Sequence, residues 1–347
     1  MSLVFVCALS EGRVSGPTHS VTSLAKKLKA QVYTNVQGCK SGMLINGVSV
    51  KSRLDFFNEV SRDDLVVFAG YFDTGNLKLA LKCLIKRIPY VLSSRGNLTK
   101  ATFKRSSVSK WIYTALFGYW FAKFARAIHY LSDEERQHSY EFNHNYFIAK
   151  NGVALEYKIN SESLSDKKNI ILFVGRIDIY HKGLDILIDL VTRHSNALRD
   201  KSWFVHLYGP SNRNDKYILD KRISDNDIVD IVFLENKISQ NVRNKKMAEA
   251  KIFVHLSRLE GQPQAVLEAL SFGCVPFVSQ FCNLSSFIID NKSGIVCNIK
   301  STESLDKFSE LIEGDLTSMM KNSSSSITEG FDWETAALEF SNEIKRL

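Results

Sequence analysis

Short apolar runs alternate with amphipathic stretches along the whole chain, and this pattern predicts parallel β-sheets built from strand–helix–strand units. Strands in such sheets are buried on both faces, so they read as nearly continuous apolar runs. In the first half these runs are residues 3–9, 31–36, 64–69, 90–93, 127–131 and 146–149. In the second half they are residues 170–174, 203–208, 229–234, 252–256, 275–279 and 295–297. We therefore expect an α/β protein with two Rossmann-like domains.

Polar stretches mark where the two domains should separate. A chain of 347 residues is long enough for two hydrophobic cores. The polar stretch at residues 155–169 predicts a boundary, with a first domain over 1–155 and a second over 156–330. A serine run at 322–326 precedes a separate closing segment, residues 331–347.

The composition, 44% hydrophobic and 24% charged residues, is ordinary for a soluble globular protein. No apolar run approaches 18 residues, so no membrane-spanning helix is expected. Residues 3–9 lack a basic flank and a cleavage site, which favours a first strand over a signal peptide. The six cysteines lack the paired spacing of a zinc or redox site and are expected to be reduced thiols in the cytoplasm.

The net charge of +8 is concentrated in one part of the chain. Residues 74–132 contain no Asp or Glu, and within them residues 100–126 interleave Lys and Arg with aromatic side chains. Such a segment predicts contact with an anionic membrane surface. The alternative is that the aromatic residues fill a core groove while the cations are merely solvated. Nucleic acid is not an expected partner, because no recognised binding motif accompanies the basic residues.

The most informative stretch is residues 257–270, in which Glu260 and Glu268 stand eight positions apart across a predicted helix start. Gly261 permits the turn, and Pro263 suits the first helical position. If the residues between them are helical, the two carboxylates lie roughly 12 Å apart, about the reach of a diphosphate between a ribose and a sugar. The alternative is a solvated helix with two ordinary glutamates.

A second stretch supplies the cations that a nucleotide-sugar site also needs. The strand-like residues 169–174 are followed by a polar loop that contains Arg176, His181 and Lys182. In an open parallel sheet, ligands lie outside the carboxyl ends of the strands. Arg176 offers forked donors to phosphate oxygens, and Lys182 offers a point charge. Together with the paired carboxylates, these cations predict a site for a nucleotide sugar.

With these motifs in this order, the chain resembles the family 4 glycosyltransferases, retaining enzymes of GT-B fold, and is similar to bacterial surface-polysaccharide glycosyltransferases. The matching pieces are Gly16-Pro17, Ser94-Arg95-Gly96-Asn97-Leu98, residues 128–135, Asn151-Gly152-Val153, Gly175-Arg176, Lys182-Gly183, Tyr208-Gly209-Pro210 and Glu260 with Glu268. The resemblance implies an N-terminal acceptor-side domain and a C-terminal nucleotide-sugar-binding domain, whose parallel sheets face each other across a central cleft. It also implies that residues 331–347 form a helix that crosses back to the N-terminal domain.

The resemblance also implies roles for individual residues. Arg176 and Lys182 would hold the donor diphosphate, Glu268 the ribose hydroxyls and Glu260 the sugar hydroxyls. Gly16 and Gly261 would complete the donor site through the backbone around them. The expected catalytic residues are Glu260, Arg176 and Lys182, because cations aimed at the departing diphosphate stabilise the charge that develops there.

One departure concerns the first domain, where relatives carry a histidine after the fourth strand and this chain has Ser94-Arg95-Gly96. Arg95 is a candidate to contact the sugar or the acceptor in its place. His129 and His181 are further candidates, with a packing or loop role as the alternative for each.

No metal site or cofactor is expected. The sequence Asp225-Asn226-Asp227 matches the Asp-x-Asp pattern of metal-dependent glycosyltransferases, but it precedes a strand, so a turn is expected. Arg176 and Lys182 can supply the cationic role that Mg²⁺ has elsewhere.

The expected function is that of a metal-independent, retaining, hexosyltransferase-like glycosyltransferase. It would use a nucleotide sugar, extend a lipid-linked oligosaccharide or glycan acceptor, and act in surface-polysaccharide biosynthesis, such as the O-antigen of lipopolysaccharide or a capsule. It would be cytoplasmic and peripherally attached to the inner face of the cytoplasmic membrane. The alternatives are a nucleotide-sugar epimerase or a phosphorylase of GT-B fold, or a non-catalytic protein that binds membrane or nucleic acid.

Overall fold

A computed structural model describes residues 2–9, 16–104, 108–155, 164–328 and 330–347. The chain divides into two compact units, of which the first contains Met1–Gly152 together with Phe331–Leu347 and the second contains Val153–Gly330. The division follows residue 152, whereas the polar stretch predicted it after residue 155. Most of that predicted boundary, residues 156–163, lies outside the described residues.

The first unit contains an eight-stranded sheet with the order β3-β4-β2-β1-β5-β6-β7-β8, in which only the β3–β4 pair is antiparallel. In chain order the strands are β1 (Ser2–Cys7), β2 (Gln31–Thr34), β3 (Met43–Ile45), β4 (Val48–Lys51), β5 (Asp64–Ala69), β6 (Tyr90–Ser93), β7 (Ala127–Tyr130) and β8 (Tyr146–Ile148). Apolar side chains on both faces of this sheet are buried, which accounts for its continuous apolar strands.

Short helices connect these strands and cover both faces of the sheet. They are α1 (Gly16–Lys27), α2 (Arg53–Glu59), α3 (Asn76–Lys86), α4 (Lys100–Lys104), α5 (Val108–Tyr113), a π-helical turn (Thr114–Gly118), α6 (Tyr119–Lys123) and α7 (Asp133–Gln137). The last helix of the chain, numbered α16 (Trp333–Arg346) in chain order, packs against α1 and β8 of this same unit. Its Phe340 is buried against the rings of Phe5 and Phe147.

The second unit contains a six-stranded parallel sheet with the order β11-β10-β9-β12-β13-β14. Its strands are β9 (Lys168–Val174), β10 (Phe204–Tyr208), β11 (Val232–Glu235), β12 (Ala250–His255), β13 (Val275–Ser279) and β14 (Ile295–Cys297). Its helices are α8 (Leu184–Arg193), α9 (Ser195–Asp200), α10 (Arg213–Asp225), α11 (Gln240–Glu249), α12 (Gln264–Ser271), α13 (Ser285–Asp290), α14 (Glu303–Glu313) and α15 (Thr317–Thr328).

The strand order of the second unit locates a crevice for ligands. The chain runs outward from β9 through β10 to β11, then returns to the other side of β9 as β12. The connections that follow β9 and β12 therefore leave the sheet in opposite directions, and ligands of open parallel sheets bind at such a switch point. The loops after these two strands carry Arg176, Lys182 and Glu260.

The predicted α/β fold is confirmed, and each predicted apolar run contains a strand. The prediction missed the β3–β4 hairpin, although Asn46-Gly47 is a strong signal for a two-residue hairpin turn. Asn46 and Gly47 have φ values of 51° and 74°, as this kind of turn requires. The run predicted at 229–234 begins only at Val232, because the preceding residues form a turn in which the Val232 amide bonds to the Ile228 carbonyl. No helix in the described ranges is both long and apolar enough to cross a bilayer.

Gly152 makes the start of the last helix possible. A Cβ added at Gly152 would lie 2.6 Å from the Cα and 2.7 Å from the amide nitrogen of Trp333. Because backbone cannot yield as a flexible side chain does, we expect Gly152→Ala to lower the free energy of unfolding by about 2 kcal/mol, typical of overpacking. Urea denaturation would measure the loss.

Gly16→Ala is the matched control for this prediction, because a Cβ there meets no described atom within 4 Å. The control should leave the free energy of unfolding almost unchanged. Equal losses in the two variants would show that the contact between Gly152 and Trp333 does not limit stability.

Candidate functional site

A close backbone approach joins the two loops at the switch point of the second unit. Gly183, the residue before α8, has a φ of 65°, and a Cβ on it would lie 2.1 Å from the carbonyl oxygen of Leu256. Only glycine combines this left-handed backbone with so close a contact. The loop after β9 therefore lies directly against the end of β12, and this contact places Lys182 beside the loop that carries Glu260.

Arg258 holds the same two loops together through its guanidinium group. It donates hydrogen bonds of 2.8 and 2.7 Å to the two carboxylate oxygens of Asp185 and a third, of 2.6 Å, to the carbonyl of Tyr180. Its guanidinium carbon also lies 4.3 Å from the centre of the Tyr180 ring. A bidentate pair has one favoured geometry, so the loop before α12 is fixed against the first turn of α8.

Glu260 accepts hydrogen bonds from two side chains at this junction. The Lys182 ammonium donates to Oε1, and His255 Nε2 lies 2.9 Å from the same oxygen. The side chains of Lys182 and Glu260 are each only 14% exposed, and that of His255 is 2% exposed. The Asn283 side chain donates a 2.6 Å bond to the Glu260 carbonyl and fixes the backbone at this point. Glu260 is therefore held in one orientation.

The charge state of this cluster follows from burial and proximity. Burial by itself would raise the pKa of Glu260, but the Lys182 ammonium and the His255 hydrogen bond outweigh it, and the pKa lies well below its usual range. Burial lowers the pKa of His255, so its imidazole is neutral. Nδ1 of His255 has no hydrogen-bond partner among the described residues, whereas Nε2 lies 2.9 Å from Glu260 Oε1 and 3.0 Å from Ser257 Oγ. We therefore assign the proton to Nε2, where the carboxylate can accept it. Glu260 is an ionised acceptor at neutral pH.

Glu268 lies on α12 and has a different environment. Its side chain is 12% exposed, and Nη2 of Arg243 lies 3.1 Å from Oε1 and 3.0 Å from Oε2. Burial raises the pKa of Glu268, while Arg243 acts in the opposite direction. Glu268 therefore depends on a single cation for its charged form.

Arg176 is the most exposed of the predicted site residues in this unit. Its side chain is 62% exposed, with Nη2 3.3 Å from Asp178 Oδ2 and 3.4 Å from His181 Nδ1. Its loop is fixed by Gly209, where an added Cβ would lie 1.7 Å from the carbonyl oxygen of Gly175. Arg176 thus stands on a fixed loop with a guanidinium that can reach a ligand.

The structure corrects the predicted helix start between the two glutamates. Glu260 through Pro263 are not helical, and α12 begins at Gln264, with Pro263 as the residue before it and not the first helical one. The distance between the two carboxylates that was predicted from a continuous helix therefore does not apply, because the first half of the stretch is not helical. Gly261 lies in this loop, directly after Glu260.

The remaining predicted residues lie in the first unit. Gly16 is the first residue of α1. Arg95 follows β6 and donates from Nη1 to Ser20 of α1, while its Nε has no partner among the described residues. Burial lowers the pKa of Arg95.

His129 is a core residue. Its Nδ1 is 2.9 Å from Ser93 Oγ, its Nε2 is 2.8 Å from the Ala149 carbonyl, and its ring stacks on Phe147. Burial lowers its pKa to about 3. This placement supports the packing role for His129 and gives no support to a substrate contact.

Three of the residues that shape the site were not predicted from the sequence. His255 had a detectable signal, because it is a polar residue at the carboxyl end of an apolar strand, where ligands bind. Asn283 and Arg243 had none. They reach Glu260 and Glu268 across gaps of 23 and 25 positions, and only the folded chain brings them together.

Two other features lie away from this site. Asp225 ends α10, and Asn226 and Asp227 form the turn after it, where the Asp227 carbonyl accepts from Arg199. Within the described ranges, no three His, Cys, Asp or Glu side chains are grouped as a metal site requires. A cavity of about 740 Å³ lies at the amino ends of β9 and β12, lined in part by Asn169 and Lys251, at the opposite edge of the sheet.

Comparison with known proteins assigns the second unit to a family. Residues 156–325 match the family model described as Glycosyl transferases group 1. The match covers just under half of the chain and lies entirely within the second unit. The match covers Arg176, Lys182, Glu260 and Glu268, so the predicted donor-site residues of this unit lie within the family domain.

Two curated relatives are similar to part of this chain. One is the GDP-mannose:cellobiosyl-diphosphopolyprenol alpha-mannosyltransferase of Xanthomonas campestris, 28% identical over 151 residues, which are 44% of this chain and 39% of the relative. The protein of the same description from Xanthomonas oryzae pv. oryzae (strain PXO99A) is 27% identical over the same shares of both chains. The chain thus matches about two fifths of the length of these relatives.

Solved structures match this chain over nearly its whole length. Sucrose-phosphate synthase from Thermosynechococcus elongatus aligns with a TM-score of 0.80 and 12% identity, covering 99% of this chain and 98% of that one. Anabaena HepE in complex with UDP and glucose aligns with a TM-score of 0.78 and 16% identity, covering 100% of both chains. The predicted GT-B fold is confirmed, with two parallel-sheet α/β domains.

Removal of Lys182 should show how strongly the free energy of unfolding depends on the countercharge of Glu260. In Lys182→Met, Glu260 remains buried without its main countercharge, and we expect a loss of about 3 kcal/mol in unfolding free energy at pH 7. Because the folded pKa of Glu260 is depressed, its stabilising contribution is present above the unfolded pKa and is lost as pH falls through the folded value. Urea denaturation between pH 7 and pH 3 should therefore show the two proteins converging at low pH.

The double variant Lys182→Met, Glu260→Gln serves as the control for this prediction. It removes the unpaired charge and should recover most of the lost stability at pH 7. A deficit in Lys182→Met that stays constant with pH, or that the second substitution does not reduce, would contradict the charge argument.

Proposed function

We propose that this protein is a retaining, metal-independent glycosyltransferase that moves a sugar from a nucleotide-diphosphate donor to a hydroxyl of a lipid-linked or polysaccharide acceptor. The observation that carries the proposal is the cluster of Lys182, Glu260 and His255 at the switch point between β9 and β12. The family match and the GT-B fold support the same class of reaction.

The oriented Glu260 carboxylate suits the sugar end of a donor. It is ionised, so it can accept hydrogen bonds from sugar hydroxyls, and its existing partners keep it from rotating away. The ammonium of Lys182 has three donors, of which the bond to Glu260 uses one. The others can reach a diphosphate oxygen, so one side chain links the sugar end of the site to the phosphate end.

The transfer step requires stabilisation of charge on the leaving group. As the bond between the anomeric carbon and the diphosphate oxygen breaks, that oxygen gains negative charge. The acceptor oxygen forms the new bond on the same face, and its hydroxyl proton passes to the departing diphosphate oxygen. Arg176 and Lys182 are cations on rigid loops whose positions do not need to reorganise during the reaction. Two such cations fill the role that a metal ion has in other transferases.

The classes of donor and acceptor rest on the relatives. The Xanthomonas enzymes are described as using GDP-mannose and a cellobiosyl-diphosphopolyprenol, and HepE is described in complexes with UDP, glucose and UDP-glucose. We propose a nucleoside-diphosphate hexose and a lipid-linked glycan for this chain, within the synthesis of a surface polysaccharide such as O-antigen or capsule. An epimerase on this fold would turn over the donor without such an acceptor, and product analysis separates both an epimerase and a phosphorylase from a transferase.

Loss of either charged contact should reduce turnover sharply. We expect Glu260→Ala and Arg176→Ala each to lower kcat/KM roughly 150-fold, which corresponds to a loss of about 3 kcal/mol in transition-state stabilisation. Steady-state assays with GDP-mannose and UDP-glucose as trial donors would measure the loss, and NMR of the product would report whether the anomeric configuration is retained.

Arg213→Ala, an exposed arginine at the start of α10 in the same unit, is the matched control and should keep normal kcat/KM. Activity near the unmodified level in both site variants, with unchanged melting temperatures, would overturn the role assigned to this cluster. An inverted product, or turnover that stops when a chelator removes metal ions, would overturn retention or metal independence separately.

We also propose that the basic aromatic segment 100–126 binds the anionic inner face of the cytoplasmic membrane. Residues 105–107 of this segment lie outside the described residues. Helix α5, the π-helical turn and α6 follow one another without a break, and their inner face packs Tyr113, Phe117 and Phe121 into the core of the first unit. The core therefore takes part of the aromatic residues, as the alternative prediction held.

The outer face of the same helical segment carries the support for membrane contact. Six large apolar side chains at helical spacing are between 46% and 76% exposed, namely Val108, Trp111, Ile112, Leu116, Trp120 and Phe124. Lys123 lies beside this row, with its ammonium 5.4 Å from the centre of the Trp120 ring. An apolar row flanked by cations, in a region without acidic residues, is complementary to an anionic lipid surface.

An acidic residue in the middle of this row should weaken membrane binding. We expect Leu116→Asp to reduce partitioning onto vesicles of mixed phosphatidylcholine and phosphatidylglycerol about tenfold, since it removes apolar burial and adds a repelled charge. Vesicle co-sedimentation would measure the change. Leu338→Asp, at an exposed position of helix α16 in the same unit, is the matched control because Leu338 is 61% exposed. Equal binding of the two variants would contradict the assignment of this face.

A further inference from the structure

The second glutamate of the paired motif has a supporting residue that no motif indicates. Glu268 projects from α12 into a site where only 12% of its side chain remains exposed. Its Oε2 atom is buried and accepts no hydrogen bond from the described residues. A buried carboxylate in such surroundings favours its neutral form unless a cation opposes the effect. Arg243 is placed to do so, with Nη2 at 3.0 Å from Oε2.

Arg243 is itself held in position, unlike a typical surface arginine. Its Nη2 also donates to Oε1 of Gln240, the first residue of α11, and Gln240 Nε2 donates a 3.1 Å bond to Asn244. The arginine side chain is 22% exposed, and its Nε is buried without a partner among the described residues. Two polar side chains of α11, Gln240 and Asn244, thus help to aim the guanidinium at Glu268.

No other charged group in the described part of the chain competes for Glu268. Helix α12 packs against β12, β13 and α15. His255 of β12 faces Glu260, while Lys251 of β12 and Lys321 of α15 act on Asp315. Strand β13 carries no charged residue. Arg243 is therefore the cation that balances Glu268.

We propose that Arg243 is a positioning residue that keeps Glu268 ionised and oriented so that its carboxylate accepts hydrogen bonds from both ribose hydroxyls of the donor nucleotide. This inference rests on the proposed function, which places the ribose at Glu268. An ionised carboxylate is acceptor-only and can serve two hydroxyl donors, whereas a protonated one presents a donor of its own to the same hydroxyls. Loss of Arg243 would convert the ionised Glu268 carboxylate into the protonated form over part of the working pH range.

The test measures binding of UDP and GDP by isothermal titration calorimetry from pH 5.5 to pH 8.5, with the full-length protein. We expect Arg243→Gln to weaken binding of the preferred nucleotide about tenfold at pH 6, the scale of a lost charge-assisted hydrogen bond. Without Arg243 the pKa of Glu268 rises further, so affinity in the variant should fall at a higher pH than in the unmodified protein and recover as pH increases. Arg243→Lys, which keeps a cation, should restore much of the affinity at pH 6.

Two experiments that remove the contact between Glu268 and the ribose distinguish a positioning role of Arg243 from simple destabilisation of the protein. Glu268→Gln should bind weakly with little dependence on pH, and adding Arg243→Gln to it should cause little further loss. A 2′,3′-dideoxy nucleotide should bind the unmodified protein about tenfold more weakly than the ribonucleotide, with a much smaller difference in Arg243→Gln. Melting temperatures would verify that each variant is folded.

The possible failures are distinguishable. If the unmodified protein binds no nucleoside diphosphate, UDP and GDP included, the proposed function is wrong and this inference is wrong with it. If the unmodified protein binds a nucleotide but Arg243→Gln has the same affinity and pH profile, the inference alone is overturned. Equal, pH-independent losses for ribose and dideoxyribose nucleotides in Arg243→Gln would also overturn it, because they would indicate general damage to the site.

Discussion

The contact between Lys182 and Glu260 is the interaction on which the candidate site depends. Burying a carboxylate without a countercharge costs several kcal/mol, so Glu260 can remain ionised only where a cation is delivered to it. That cation comes from the loop after β9, while the carboxylate comes from the loop after β12. The site therefore exists only because the fold brings these two loops together, and a local change to either loop acts on the charge balance of both.

Backbone proximity is the constraint that makes this charge balance possible. Gly183 lets the loop after β9 touch the carbonyl of Leu256, and Gly209 lets the neighbouring loop touch the carbonyl of Gly175. Any side chain at these positions would force the strands' ends apart. Arg176 and Lys182 lie in the loop that runs from Gly175 to Gly183, and each end of that loop makes one of these contacts. The contacts therefore set the positions of both cations, although glycine has no functional group.

The sequence predicts the features that are encoded locally. Apolar runs locate the strands, because a strand buried on both faces must be apolar, and polar residues after β9 and β12 predict a ligand edge. Features that depend on distant pairs are not predictable in this way. The contact of Arg243 with Glu268 and the core environment of His129 arise only when separate strands and helices pack together. The β3–β4 hairpin differs, since its Asn-Gly turn was a readable local signal.

The pKa values of the two glutamates of one motif are shifted in opposite directions, and the number and kind of their partners explain why. Glu260 has an ammonium and an imidazole N–H on the same oxygen, and together these outweigh burial. Glu268 has one guanidinium, which does not fully outweigh burial, so its pKa is raised. An ionised acceptor is thus secured at the end assigned to the sugar, whereas the end assigned to the ribose depends on one interaction. Sequence spacing alone treats the two residues as equivalent, and the folded protein does not.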